Sequence, residues 1–146
     1  MGAEIATKAL NQLTPFDASE VVLQAPDISG IDYPSLMSAL VCRSQRITVY
    51  ANEEDKALKA SARARKGISG VVDVARVGEN ILNAIDSNVE AVDASRFGKD
   101  GFWSHSYTFT RPLLIDLRET LDAVPQVRAQ LEPVLVRSLE YYRFRR

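Results

Sequence analysis

Three short apolar runs, separated by stretches of helical spacing, set the tightest limit on what this chain can fold into. They are Glu20-Val21-Val22-Leu23-Gln24-Ala25, Arg46-Ile47-Thr48-Val49-Tyr50-Ala51 and Val89-Glu90-Ala91-Val92-Asp93-Ala94. A strand covered on both faces reads as such a near-continuous run rather than as a polar/apolar alternation. Between the runs, apolar residues recur at helical spacing: Ala6, Ala9, Leu10 and Leu13 over residues 3–13, and Leu36, Met37, Leu40 and Val41 over 34–44. A basic helix is expected over about 55–65. Strands that alternate with helices need crossover connections, and crossovers make neighbouring strands parallel. The expected class is α/β, a small parallel sheet of about three strands flanked by helices.

Gly67 and Gly70 open an irregular stretch through Asn88, with one short helix near Ile81. A loop rich in glycine and aromatics, Phe97 to His105, leads to a helix whose first turn accepts Pro112, where a missing N–H costs nothing. The spacing after Pro125 predicts a last helix to about Tyr142, a C-terminal helix within 125–146. No repeat or linker divides the chain, so residues 1–146 are expected to form a single domain.

Charge and composition remove several function classes. A net charge of −1 lacks the basic surplus that displaces counterions from phosphates, so no nucleic-acid partner is expected. No run approaches the roughly 20 apolar residues of a membrane span, and the first residues lack a secretory leader pattern. The default expectation is a cytoplasmic protein. One histidine and one cysteine cannot build a zinc cluster, so neither a metal nor a cofactor is expected. Cys42 falls within an amphipathic helix and is read as a packed thiol. Lys56, Lys59, Arg63 and Lys66 form a stripe on one helix, read as a solvated face.

In an open parallel sheet, ligands gather beyond the carboxyl ends of the strands. The residues so placed are Asp27 after the first strand, Asp55 after the second and the loop ending in His105 after the third. An imidazole can take a proton from a hydroxyl if a carboxylate fixes its tautomer and steadies the imidazolium. His105 is the sole histidine, so any histidine-based chemistry uses it. The plain reading of His105 is a loop side chain bonded to backbone, and that of Asp55 an acid in a first helical turn. Asp27 is the rival acid, with a turn role after Pro26 as its plain reading.

The stretch Ile47-Thr48-Val49-Tyr50-Ala51-Asn52-Glu53-Glu54-Asp55-Lys56-Ala57-Leu58 resembles a group of uncharacterised bacterial α/β-hydrolases of esterase/lipase type. Arg76-Val77-Gly78, Val92-Asp93-Ala94-Ser95 and His105-Ser106-Tyr107 are similar to its later motifs, in the same order. The likeness covers roughly residues 1–117. It implies that the chain corresponds to the C-terminal half of an α/β-hydrolase, with Asp55 as the triad acid and His105 as the triad base. It also implies that the nucleophilic serine falls immediately before residue 1, with Met1 at the position whose backbone N–H serves the oxyanion hole.

On that resemblance the complete protein is a serine hydrolase of small acyl esters, and the chain by itself lacks the nucleophile and is expected to be inactive. The competing expectation is a non-catalytic interaction module, or a truncated relic, that pairs with a separate N-terminal half. The strand at Val21–Ala25 would then expose an apolar edge, a template for self-association or for that other half.

Overall fold

The computed structural model describes residues 2–12, 17–69, 76–86, 88–97, 109–122, 128–136 and 138–145. Helix α1 (Gly2–Gln12) leads to β1 (Ala18–Gln24), α2 (Tyr33–Val41), β2 (Ser44–Ala51) and α3 (Lys56–Ser69). A 3-10 turn (Val77–Glu79) and the short α4 (Ile81–Ala84) precede β3 (Glu90–Asp93). A second 3-10 turn (Ser95–Phe97), α5 (Arg111–Leu121) and the strands β4 (Leu131–Val136) and β5 (Leu139–Phe144) complete the order. The sheet runs β1-β2-β3-β5-β4. β1, β2, β3 and β5 are parallel, and β4 closes one edge antiparallel to β5.

The three apolar runs are the first three strands, in the expected parallel arrangement. Their near-continuous character has the expected cause, because both faces of the sheet are covered. On one face Val21, Leu23, Ile47, Val49, Ala51 and Ala91 pack with Met37, Leu40, Ile81 and Ala84 from α2 and α4. On the other, Tyr50 and Val92 meet Leu58 of α3, Leu113 of α5, and Leu131 and Phe144 of the hairpin. Each fully buried aliphatic side chain of this kind contributes about 1.5–3 kcal/mol.

The C-terminal region corrects the sequence reading. The expected helix over 125–146 is a β-hairpin from Leu131 to Phe144. Pro133 explains part of the difference. Inside a helix it would cost about 3 kcal/mol, whereas on an edge strand its missing N–H is tolerated. Along β4 the half-buried Glu132, Val134 and Val136 alternate with the exposed Pro133 and Leu135, the period of two of a strand with one covered face. Val136 pairs with Leu139, and Ser138 between them takes φ 70° in the left-handed region that a tight reversal uses.

Cys42 is a second correction. It lies just after α2, exposed, with its Sγ 3.5 Å from the Ser38 carbonyl oxygen. The helix ends before the thiol could turn inward.

Candidate functional site

The carboxyl ends of β1, β2 and β3 form one rim, and short hydrogen bonds knit it together. Ala25 N–H donates to the Tyr50 carbonyl (3.0 Å), and Ala94 N–H to that of Ala51 (2.8 Å). The 3-10 turn at Val77–Glu79 is wedged between the extensions of β1 and β2. Val77 N–H donates to Ile28 O (3.0 Å), Gly78 N–H to Pro26 O (3.0 Å), and Asn52 N–H to Gly78 O (2.8 Å). A Cβ on Gly78 would lie 2.7 Å from Leu58 Cδ1, 2.8 Å from Ala25 C and 2.9 Å from Pro26 N. Two of those three neighbours are backbone atoms, so only glycine fits. Ala25 itself takes φ 46°, a strained value for a residue with a Cβ. The Arg76-Val77-Gly78 segment thus locks the rim.

Asp55 follows β2 and caps α3. Its side chain is fully buried. Oδ1 accepts from Ala57 N–H (2.9 Å) and Leu58 N–H (3.0 Å), two of the backbone donors that a helix start leaves without partners. Asn52 supports the same turn, its Oδ1 accepting from Glu54 N–H (2.8 Å). Asn52 Nδ2 is buried with no hydrogen-bond partner among the described residues. Across the rim, Ser95 Oγ accepts from Glu53 N–H (2.9 Å), while Ser95 N–H donates to Asp93 Oδ1 (2.9 Å). The Asp-x-Ser end of β3 therefore steadies the turn that carries Asp55.

Asp27 lies on the same rim in a different setting. Its Oδ1 sits 3.2 Å from Arg76 Nε, and its Oδ2 accepts from Ser61 Oγ (2.9 Å). Its charge is committed to the wedge and to α3. His105 and Met1 lie outside the described residues.

Sequence reading missed a second polar cluster, on the α5 face of the sheet. Tyr50 donates its hydroxyl proton to Asp116 Oδ2 (2.7 Å) and accepts from Arg128 Nη2 (2.9 Å). Arg128 Nε donates to Asp116 Oδ1 (2.8 Å), and the guanidinium also pairs with Asp116 Oδ2 and with Glu90. Asp116 and Tyr50 are fully buried. Burial pushes the Tyr50 hydroxyl well above its ordinary range. Burial works against the Arg128 charge, but the hydrogen bond to Asp116 and the surrounding Tyr50, Asp116 and Glu90 together outweigh it and hold its pKa above the ordinary value. A signal was present in the sequence: Leu113, Asp116 and Thr120 recur on one face of α5, so a carboxylate sits on the stripe that faces the sheet.

A cavity of about 610 Å³ opens at the opposite rim, lined by Arg46, Ile47, Glu90, Leu139 and Tyr142 among others. It is remote from the strand-end acids. We place the candidate chemistry with the acids, because ligands of parallel sheets bind beyond the carboxyl ends.

A mostly parallel sheet with helices on both faces, and polar turns gathered at the carboxyl ends of its strands, defines an α/β protein. The family model described as alpha/beta hydrolase of unknown function (DUF900) matches residues 1–123, and the chain belongs to that family. Neither the comparison with curated proteins nor that with solved structures finds a match. No helix among the described residues is long and apolar enough to cross a membrane.

Proposed function

We propose that the rim beyond β1, β2 and β3 is part of a serine-hydrolase site for small acyl esters, with Asp55 as the triad acid and His105 as the base. In this reading the nucleophile comes from polypeptide outside these 146 residues, and the backbone nitrogen of Met1 stands at the oxyanion position. The observation that carries the reading is the state of Asp55. A triad acid must be rigid and shielded, so that it holds one imidazole tautomer and stabilises the imidazolium. Asp55 is fully buried, and two α3 backbone N–H groups fix its Oδ1. Asp27, the alternative acid, is engaged by Arg76 and Ser61. β1 lies at the sheet edge, where a strand from an N-terminal half would pair.

Because His105 is the only histidine, its ring proton resonance can be followed by NMR through a pH titration. A carboxylate partner stabilises the imidazolium, so Asp55→Asn is expected to move the titration midpoint down by about one pH unit. An unmoved midpoint would remove the acid–base pair and favour a non-catalytic module that docks through the β1 edge. In the complete protein, p-nitrophenyl ester hydrolysis should fall at least about a thousandfold on His105→Ala.

A further inference from the structure

The β4–β5 hairpin lies beyond residues 1–123, the range of the family match, and nothing so far gives it a role. Its contacts fall on the two flanks of residues 98–108, the segment that carries Trp103 and His105. On the upstream flank, the Phe97 ring meets Phe144 of β5 edge to face, with centroids 4.8 Å apart and planes at 75°. Arg96 Nη1 donates to the carbonyl oxygen of Arg145, the residue after β5. On the downstream flank, Leu113 of α5 packs in one cluster with Leu131 and Phe144. One turn further along α5, Asp116 takes the Arg128 guanidinium, three residues before β4 begins.

We infer that the hairpin is a brace that holds both flanks of residues 98–108 in register, with Phe144 and Arg128 as its positioning residues. A hairpin that merely lengthened the sheet would need only its ladder to β3, and that ladder is short: Val92 with Tyr142 and Asp93 with Arg143. Arg128 makes a different kind of contact, since one guanidinium joins α5 through Asp116, β2 through Tyr50 and β3 through Glu90. Planar, bidentate recognition of that sort fixes orientation as well as distance. The brace stands without catalysis; its value to a reaction rests on the reading of His105 given above.

Trp103 is the sole tryptophan, so its fluorescence anisotropy decay reports local motion within 98–108. Phe144→Leu keeps the hairpin apolar but removes the ring contact. Arg128→Lys keeps the charge but loses the fork. Leu135→Ser alters a β4 side chain that is 71% exposed and serves as the control. Measured well below each unfolding midpoint, the fast component of the decay is expected to at least about double in Phe144→Leu and Arg128→Lys and to stay unchanged in Leu135→Ser. Equal decays in all four proteins, or an equal rise in the control, would overturn the brace. If Arg128→Lys fails to fold, Phe144→Leu decides alone by the same two outcomes. A doubled component beside an unmoved His105 titration in Asp55→Asn keeps the brace and discards the triad reading. The reverse pattern discards the brace alone.

Discussion

Asp27 Oδ1 and Arg76 Nε face each other at 3.2 Å, with their side chains only 14% and 9% exposed. The pair spans the end of β1 and the entry to the 3-10 turn, so it clamps the wedge that separates the extensions of β1 and β2. A carboxylate employed in this way anchors the fold through an ion pair, whereas Asp55 caps α3 through backbone N–H groups.

That distinction can be measured. Asp27→Asn breaks a largely buried ion pair and should destabilise the fold by about 3 kcal/mol, with the His105 titration unmoved. Asp55→Asn retains a side chain that caps well, so stability should change by less than about 1 kcal/mol, whereas Asp55→Ala loses the cap and about 1–2 kcal/mol. Urea denaturation of the three variants gives the comparison. A larger loss for Asp55→Asn than for Asp27→Asn contradicts this division of roles.

Gly78 has no room for a side chain. Gly78→Ala forces a methyl group against Ala25 C and Pro26 N, and backbone cannot rotate away as a flexible side chain would. We expect a loss of about 1–3 kcal/mol, with hydrogen exchange quickening first at Asn52 and Val77, whose N–H groups the wedge holds. A variant as stable as the parent would mean that the close approach is relieved without cost.

The Asp116–Arg128 pair should behave as one unit. Asp116→Ala leaves a buried guanidinium short of its main partner, and we expect a loss of about 3–5 kcal/mol. Asp116→Leu combined with Arg128→Met removes both charges and should recover most of it, giving a coupling energy of at least about 2 kcal/mol in a double-mutant cycle. Simple additivity of the two single changes would show that the pair contributes nothing jointly.

Stability should fall steeply in alkali. Burial holds the Tyr50 and Tyr33 hydroxyls above the ordinary tyrosine value of 10.0, and Tyr33 also donates to the Ala84 carbonyl oxygen (2.9 Å). Below pH 10 both states keep these protons, and the contribution is fully present. Above it the unfolded chain releases them while the native chain does not, so stability declines as pH rises. Each tyrosine adds about 1.4 kcal/mol per pH unit to that slope. Tyr33→Phe with Tyr50→Phe should flatten the decline between about pH 10 and 11 in thermal melts. An undiminished slope would place the sensitivity in other groups.

Much of the rim was legible in the sequence, because its signals are local. The apolar runs announce β1, β2 and β3, and an acid at the start of a helical pattern announces the turn at Asp55, which the structure shows to be the cap one residue before α3. The resemblance supplied Arg76-Val77-Gly78 and Asp93-Ala94-Ser95 as motifs without saying why they are there. The structure gives the reasons, a wedge too tight for a Cβ and a serine that links the β2 and β3 turns. The C-terminal segment departs from the expected helix because Tyr141, Tyr142 and Arg143 suit a helix end as well as a strand, whereas Pro133 is tolerated only on the strand edge.

By itself, then, the sequence determined which segments are strands and helices wherever hydrophobic period and turn chemistry agree, and that both faces of the sheet are covered. Only the tertiary structure decided what each acid is bonded to, Asp27 to Arg76 and Ser61, and Asp55 to the first N–H groups of α3. Asp27 and Arg76 are 49 residues apart and Tyr50 and Arg128 are 78 apart. Polar pairing across such separations depends on where the folded chain brings the groups together, and no local pattern encodes it. The fate of the C-terminal segment was settled in the same way, by an open edge beside β3 that a strand can extend and a helix cannot.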